Sequence, residues 1–310
     1  MGIIATTGFF DGVHLGHQSV LKKVVSVAAA QGKESAVVTF WPHPRTILRQ
    51  DAEKLRLLNS LDEKKELLTS LGIQHIHVIP FNVELAKLTT AAFFDLHLKR
   101  ELNVDTLIVG HDHRLGNNAC DDYNAMKTIG AAAGIAVEQI DAVSHSSFFS
   151  SGMMSSFAPK NNAVSSTKIR EALKGGDVKT ANECLGYRYQ LQGVVVEGNK
   201  LGRMLGFPTA NMHLYEPLKQ LPADGVYAVI VRIGEQMFKG LTNIGLRPTV
   251  RGTTRMIETY IFDFEQDIYG QPIEVQLLAH IREERRFDSL EALQQQIVKD
   301  KADSEKCFNM

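Results

Sequence analysis

Excess charge of one sign, cysteine and long apolar runs are all scarce in this chain. Lysine plus arginine number 34 against 35 aspartate plus glutamate, a formal net charge of −1. A general nucleic-acid binder carries a basic excess, so no nucleic-acid partner is expected. The three cysteines, Cys120, Cys184 and Cys307, lie far apart and match neither a metal nor a redox spacing. They read as free thiols in a reducing compartment, so the expected location is cytoplasmic. No apolar run reaches the roughly 20 residues of a bilayer-spanning helix, and no signal peptide precedes Asp11, so no membrane is expected. The opening Met1 to Thr6 fits a myristoylation pattern, but its residues read as a buried strand. Composition says nothing about oligomeric state. What remains is ordinary globular material, 44% hydrophobic and 22% charged, whose 310 residues allow about two domains.

The most informative stretch is Gly8-Phe9-Phe10-Asp11-Gly12-Val13-His14-Leu15-Gly16-His17. An apolar strand, Ile3 to Thr7, precedes it. A helix follows to Gln31, with Val20, Leu21, Val24, Val25 and Ala28 at helical spacing and Gly32 as its stop. Gly12 and Gly16 let the backbone turn and approach a ligand. The helix start offers free N–H groups and a positive dipole end to phosphate. His14 and His17 stand at that start, able to donate to phosphate oxygens or carry charge beside them. A bare His-x-x-His would be a surface pair; here it comes with a strand, two glycines, Asp11 and a helix start.

That combination resembles the His-x-Gly-His signature of the nucleotidylyltransferase superfamily, and the full string is closest to bacterial flavin adenylyltransferases. The resemblance implies that Gly8, Phe9, Asp11 and Gly16 bind the nucleotide triphosphate. It also implies that His14 and His17 stabilise the transition state of nucleotidyl transfer.

Strands continue at 35–40, 73–79, 106–110 and 135–143, alternating with helices over 60–71, 90–101 and 123–133. This alternation predicts an α/β doubly wound parallel sheet. Ser60 to Glu63 reads as a capping box. His75 and His77 share a strand face and read as structural. After the fourth strand, Gly110-His111-Asp112-His113-Arg114-Leu115-Gly116 offers Asp112 and Arg114 as substrate-orienting groups. By resemblance these lie near the flavin phosphate and the nucleotide. Val164-Ser165-Ser166-Thr167-Lys168-Ile169-Arg170 opens another helix, with Ser165 or Ser166 as its cap. Hydroxyls, N–H groups and Arg170 there make a triphosphate cradle, and Ser-Ser-Thr-x-x-Arg is the superfamily's second hallmark. The chain departs from the family at 117–122, where Asp121 replaces an expected glycine. It departs again at Ser144 to Asn162, which is rich in Ser, Phe and Met.

Beyond Gly186 helical periods give way to short alternating runs at 187–196, 225–233, 237–244, 257–264 and 273–281. These predict an antiparallel β-barrel domain closed by a C-terminal helix over 290–299, with Asp288 as its cap. The division is therefore 1–185 and 186–310. Within the second part, Gly198 to Asn211 carries Gly198, Gly202 and Arg203, then Gly206-Phe207-Pro208-Thr209-Ala210-Asn211. Such a loop can wrap phosphates, and Thr209 and Asn211, two apart on an extended strand, share one face as hard ligands for Mg²⁺. A long hairpin loop fits the same residues. Glu258, opening an apolar strand, is either a rim charge or a general base.

Gly-Phe-Pro-Thr-Ala-Asn resembles the riboflavin kinase signature. Asn243-Ile244-Gly245-x-x-Pro248-Thr249 and Glu258 to Phe264 follow as in that family. By this resemblance Thr209 and Asn211 hold the ATP magnesium. Gly198, Gly202, Arg203, Phe207 and Pro208 bind the ATP. Glu258 is the base, and Asn243, Arg282 and Phe287 border the flavin. The whole chain thus resembles bacterial bifunctional riboflavin kinase and FAD synthetases. This implies ATP, riboflavin, FMN and FAD as ligands and one Mg²⁺ per ATP site. The departures at 117–122 and 144–162 leave a narrower alternative, a kinase with a weak transferase half. A non-catalytic flavin-binding regulator is a further alternative.

Overall fold

The computed structural model describes residues 2–48, 54–110, 115, 122–140, 164–198, 202, 206–249 and 252–308, with side chains at 247–249 and 252–254 excepted. The chain divides into two compact units, Met1–Ser166 and Thr167–Met310.

The first unit runs β1 (Ile3–Thr7), α1 (Leu15–Gln31), β2 (Glu34–Trp41), α2 (Pro44–Leu48), α3 (Leu61–Ser70), β3 (His75–Pro80) and α4 (Val83–Ala86). Next come α5 (Thr90–Phe93), which passes into a π-helical stretch at Phe94–Glu101, then β4 (Val104–Val109), α6 (Tyr123–Ala132) and β5 (Ala136–Gln139). The strands form a five-stranded parallel sheet in the order β3-β2-β1-β4-β5. This is the doubly wound arrangement predicted. Its strands are apolar on both faces because both faces are covered. Ile4, Val37 and Ile108 pack with Leu21 and Val24 of α1 and Leu68 of α3. Ala5, Val38 and Leu107 pack with Phe93, Phe94, Leu98 and Met126 on the other side. Strand order reverses between β1 and β4, and open α/β sheets bind ligands at the carboxyl ends of strands at such a switch point. The loop Gly8–His14 leaves β1 at that end.

The helix α7 (Ser166–Lys174) follows, then α8 (Val178–Leu185), β6 (Gln190–Val196), β7 (Thr209–Leu214), β8 (Gly225–Ile233), β9 (Gln236–Thr249), β10 (Gly252–Ile261), β11 (Pro272–Arg282) and α9 (Leu290–Ser304). The six strands close into an antiparallel barrel ordered β10-β7-β6-β11-β8-β9. Sequence periodicity indicates five of them. The sixth, β7, is short and follows a glycine-rich segment, and its pairing with β6 and β10 supplies what its own pattern lacks. Tyr189, Leu191, Val229, Val231, Val275 and Leu277 are fully buried in the second unit. The cap of α9 corrects the expectation of Asp288. Ser289, extended at φ −146° and ψ 162°, accepts the Ala292 N–H.

Candidate functional site

Three residues of the β1–α1 loop take positive φ: Phe10 at 51°, Gly12 at 87° and Val13 at 37°. For β-branched Val13 this is an unusual conformation, held because Val13 is fully buried and Phe10 nearly so. The loop brings His14 to the N-cap of α1, where its Nδ1 accepts the His17 N–H at 3.4 Å. In the neutral ring that bond leaves the proton on Nε2. The two imidazoles stack with centroids 3.6 Å apart and planes 16° off parallel. Gly16 makes room for this stack, since a Cβ there would stand 3.2 Å from the His14 ring. His17 is held well below the usual histidine range, first by burial, then by the charges of His14 and Lys64. It therefore works as a neutral imidazole, and its Nδ1 has no hydrogen-bond partner.

The Asp11 carboxylate accepts the Leu58 N–H at 2.9 Å and the Asn59 N–H at 3.3 Å, which pins the loop to the approach of α3. The Asp11 carbonyl accepts the Ser166 hydroxyl at 2.8 Å, so the Ser165–Ser166 segment lies against the same loop. Ser166 begins α7, Thr167 follows it, and Arg170 comes four residues on, one turn along the same helix face. The first unit also holds a residue that motif reading misses. Lys64, on α3, is fully buried, with Nζ 3.8 Å from the centroid of the Phe9 ring. Its position was readable: Lys64, Leu68 and Leu71 fall at i, i+4 and i+7, on the apolar face of the helix.

In the barrel, strand register builds the site. Glu258 on β10 stands opposite Asn211 on β7 and opposite Asn243 on β9. Directly opposed residues share a face, so the three side chains form a row across neighbouring strands. Tyr260 continues it, opposite Thr209 and Leu241. Asn211 is 5% exposed and its Oδ1 has no hydrogen-bond partner. Gly198 lies so close that any Cβ would collide with the Asn211 carboxamide. Gly202 accepts the Phe207 N–H at 2.8 Å, closing the segment before β7. The Phe207 ring meets Tyr260 edge-on at 5.2 Å.

Thr209 lines two cavities. One, of about 300 Å³, is lined by Gly202, Phe207, Asn243, Glu258, Arg282 and Phe287 among others. The other, of about 210 Å³, is lined by Pro208, Phe264, Asp267 and Tyr269 among others. Arg282 is held by Asp300 of α9, its Nε donating to both carboxylate oxygens at 3.0 and 2.9 Å. Its guanidinium lies 5.6 Å from the Phe287 ring centroid. Asn243 donates to Glu284 at 3.4 Å. The expected ligand residues Asp112, Arg114 and Arg203 lie outside the described residues, as do 117–121 and 144–162.

Comparison with known proteins gives a consistent picture. An FAD synthetase family profile matches residues 1–153 and a riboflavin kinase profile matches 185–308. The chain is 35% identical to a bifunctional riboflavin kinase/FMN adenylyltransferase of Bacillus subtilis, over 99% of this chain and 92% of that protein. It is 34% identical to the Escherichia coli K12 protein of the same name, over 100% and 94%. A solved structure described as a macrolide-efflux protein from Streptococcus pneumoniae matches at 30% identity with a TM-score of 0.85, covering 100% of this chain and 95% of that one. Among the described residues no helix is long and apolar enough to cross a membrane. Similarity over the full length, with both profiles in order, shows that the chain belongs to the bifunctional riboflavin kinase/FMN adenylyltransferase family.

Proposed function

We propose that the chain makes FMN from riboflavin in residues 186–310 and FAD from FMN in residues 1–185, using ATP in both. The observation that carries this furthest is the Asn211–Glu258–Asn243 row beside two cavities that share Thr209. A hydroxyl acceptor in the larger cavity and a nucleotide in the smaller would meet at that residue. Glu258 takes the proton from the riboflavin 5′-hydroxyl, whose oxygen attacks the γ-phosphorus; the bond from that phosphorus to the bridging oxygen breaks and ADP leaves. General-base help of this kind is worth about 10²–10⁴ in rate.

The buried Asn211 Oδ1, without a hydrogen-bond partner, fits a cation ligand, and the Thr209 hydroxyl is a hard donor of the same kind. Among the described residues no three His, Cys, Asp or Glu side chains gather into a metal-binding group. Thr209 and Asn211 with phosphate oxygens make a hard-oxygen set that suits Mg²⁺, which would neutralise charge on the transferring phosphoryl. Arg282, fixed by Asp300, and Asn243 orient the flavin, with Phe287 at its edge.

In the other reaction the FMN phosphate attacks the α-phosphorus of ATP and pyrophosphate leaves. No covalent intermediate on the protein is needed, because catalysis is positioning and electrostatic stabilisation. His14 and His17 donate to the phosphates, His17 as a neutral ring. The start of α1, the hydroxyls of Ser165, Ser166 and Thr167, and Arg170 complete the cradle. Asp112 and Arg114 are assigned to the flavin nucleotide, Arg203 to the kinase ATP, and a second Mg²⁺ to the adenylyl site. The free thiols Cys184 and Cys307 support a cytoplasmic setting.

The test is incubation of purified protein with riboflavin, ATP and Mg²⁺, with products resolved by chromatography. FAD supports the proposal. FMN as the sole product would confine the activity to the barrel, and tight riboflavin binding without turnover would leave a regulator.

A further inference from the structure

Lys64 has no role in the reading above, and its setting asks for one. Its side chain is fully buried and Nζ has no hydrogen-bond partner. A buried unpaired ammonium is costly, whereas an apolar side chain of the same length would pack there freely. Its surroundings are those of the nucleotide loop. Nζ lies 3.8 Å from the Phe9 ring centroid and 5.8 Å from that of Trp41. The charge of Asp11 acts on it, and its own charge acts on His17. Asp11 holds the backbone of Leu58 and Asn59, just before the capping box that starts α3. Lys64 sits one turn further on and reaches Phe9, so α3 and its approach grip the loop at both Phe9 and Asp11.

We infer that Lys64 is a positioning residue of the adenylyl-transfer site: it fixes Phe9 and holds against the loop a positive charge that the phosphates of ATP, or pyrophosphate in reverse, draw on. The inference rests on the first unit being the adenylyltransferase. Burial, partly offset by Asp11, brings the ammonium down to about 8 from an ordinary 10.5. It therefore carries its charge at neutral pH and gives it up just above.

The reverse reaction tests this without involving the kinase. Pyrophosphate attacks the adenylyl phosphorus of FAD, the bond to the FMN phosphate oxygen breaks, and ATP and FMN form. Lys64→Met keeps the length and removes the charge. The expected result is a KM for pyrophosphate raised at least about tenfold, as for loss of one charged contact, with riboflavin phosphorylation unchanged. The Tm should equal or exceed that of the wild type. In the wild type this KM should also climb as pH rises through about 8, a step absent from the variant. The titratable neighbours Asp11, His14 and His17 are common to both proteins, so the difference between profiles isolates Lys64. An unchanged KM and pH profile, or a loss accompanied by a lower Tm, overturns the inference. A wild type that makes no ATP from FAD and pyrophosphate sinks the adenylyltransferase reading, and the inference with it. A wild type that turns over beside an unaffected variant sinks the inference alone.

Discussion

Asn211 and Glu258 are register partners across β7 and β10, and Gly198 leaves the Asn211 carboxamide the space it occupies. Proposed metal ligand and proposed base are thereby fixed by backbone pairing. Gly198→Ala drives a methyl group into that carboxamide. The Mg²⁺ concentration for half-maximal riboflavin phosphorylation should rise by about 10- to 100-fold, the range seen when groups orienting metal ligands are altered. FAD formation from supplied FMN should not change. Magnesium titrations of both reactions check this, and an unmoved requirement would remove Asn211 from the metal.

His17→Ala should cut FAD formation from FMN by about 10²–10³, as for loss of one preorganised donor, and leave FMN formation untouched. The buried ring also links stability to pH. Its pKa in the fold lies well below the ordinary 6.5, so below that value the unfolded chain binds a proton that the folded one refuses. Stability contributed by the neutral ring is thus complete above about 6.5 and is lost as pH falls. Thermal melts from about pH 7.5 to about 5.5 should drop more steeply for wild type than for His17→Gln. Parallel curves would show that His17 is not held neutral.

Asp300 should matter to the kinase although it belongs to the closing helix. Its side chain is 3% exposed, its partner Arg282 is 19% exposed, and Gln296 adds a bond to it at 2.6 Å. Breaking a buried pair costs about 3–5 kcal/mol, and partial solvent access to Arg282 puts the expected loss for Asp300→Asn at the lower end. The riboflavin KM should rise as Arg282 loses its orientation. Adding Arg282→Gln should recover stability in denaturant but leave the KM high. A single variant with normal riboflavin KM would make the pair purely structural.

Much of this was legible in the chain. Runs such as Ile3–Thr7 and Val104–Val109 announce strands buried on both faces, and the helices between them announce the parallel sheet. The glycine and histidine spacing of the first loop marks it as the proposed phosphate site, because such sites are built from local backbone. The proposed site in the barrel was legible as motifs, but the row joining Asn211, Glu258 and Asn243 was not, since register is a long-range property. The roles of Lys64 and Asp300, unlike their positions, stayed hidden for a shared reason. Each falls on the apolar stripe of its helix, Lys64 with Leu68 and Leu71, Asp300 with Leu293 and Ile297. A charge on such a stripe looks like an interruption until its partners from elsewhere in the chain are known. Asp288 and Ser289 both suit a cap, and only the backbone angles decide between them.

In the proposed scheme two reactions run at two separate sites, with Glu258 serving one. Glu258→Gln protein should be given ATP and Mg²⁺ with riboflavin in one reaction and FMN in another, and flavins followed by chromatography. The expected result is FMN formation reduced by about 10²–10⁴ in the first and wild-type FAD formation in the second. Loss of both activities in a folded variant, or an unreduced supply of FMN, would contradict it.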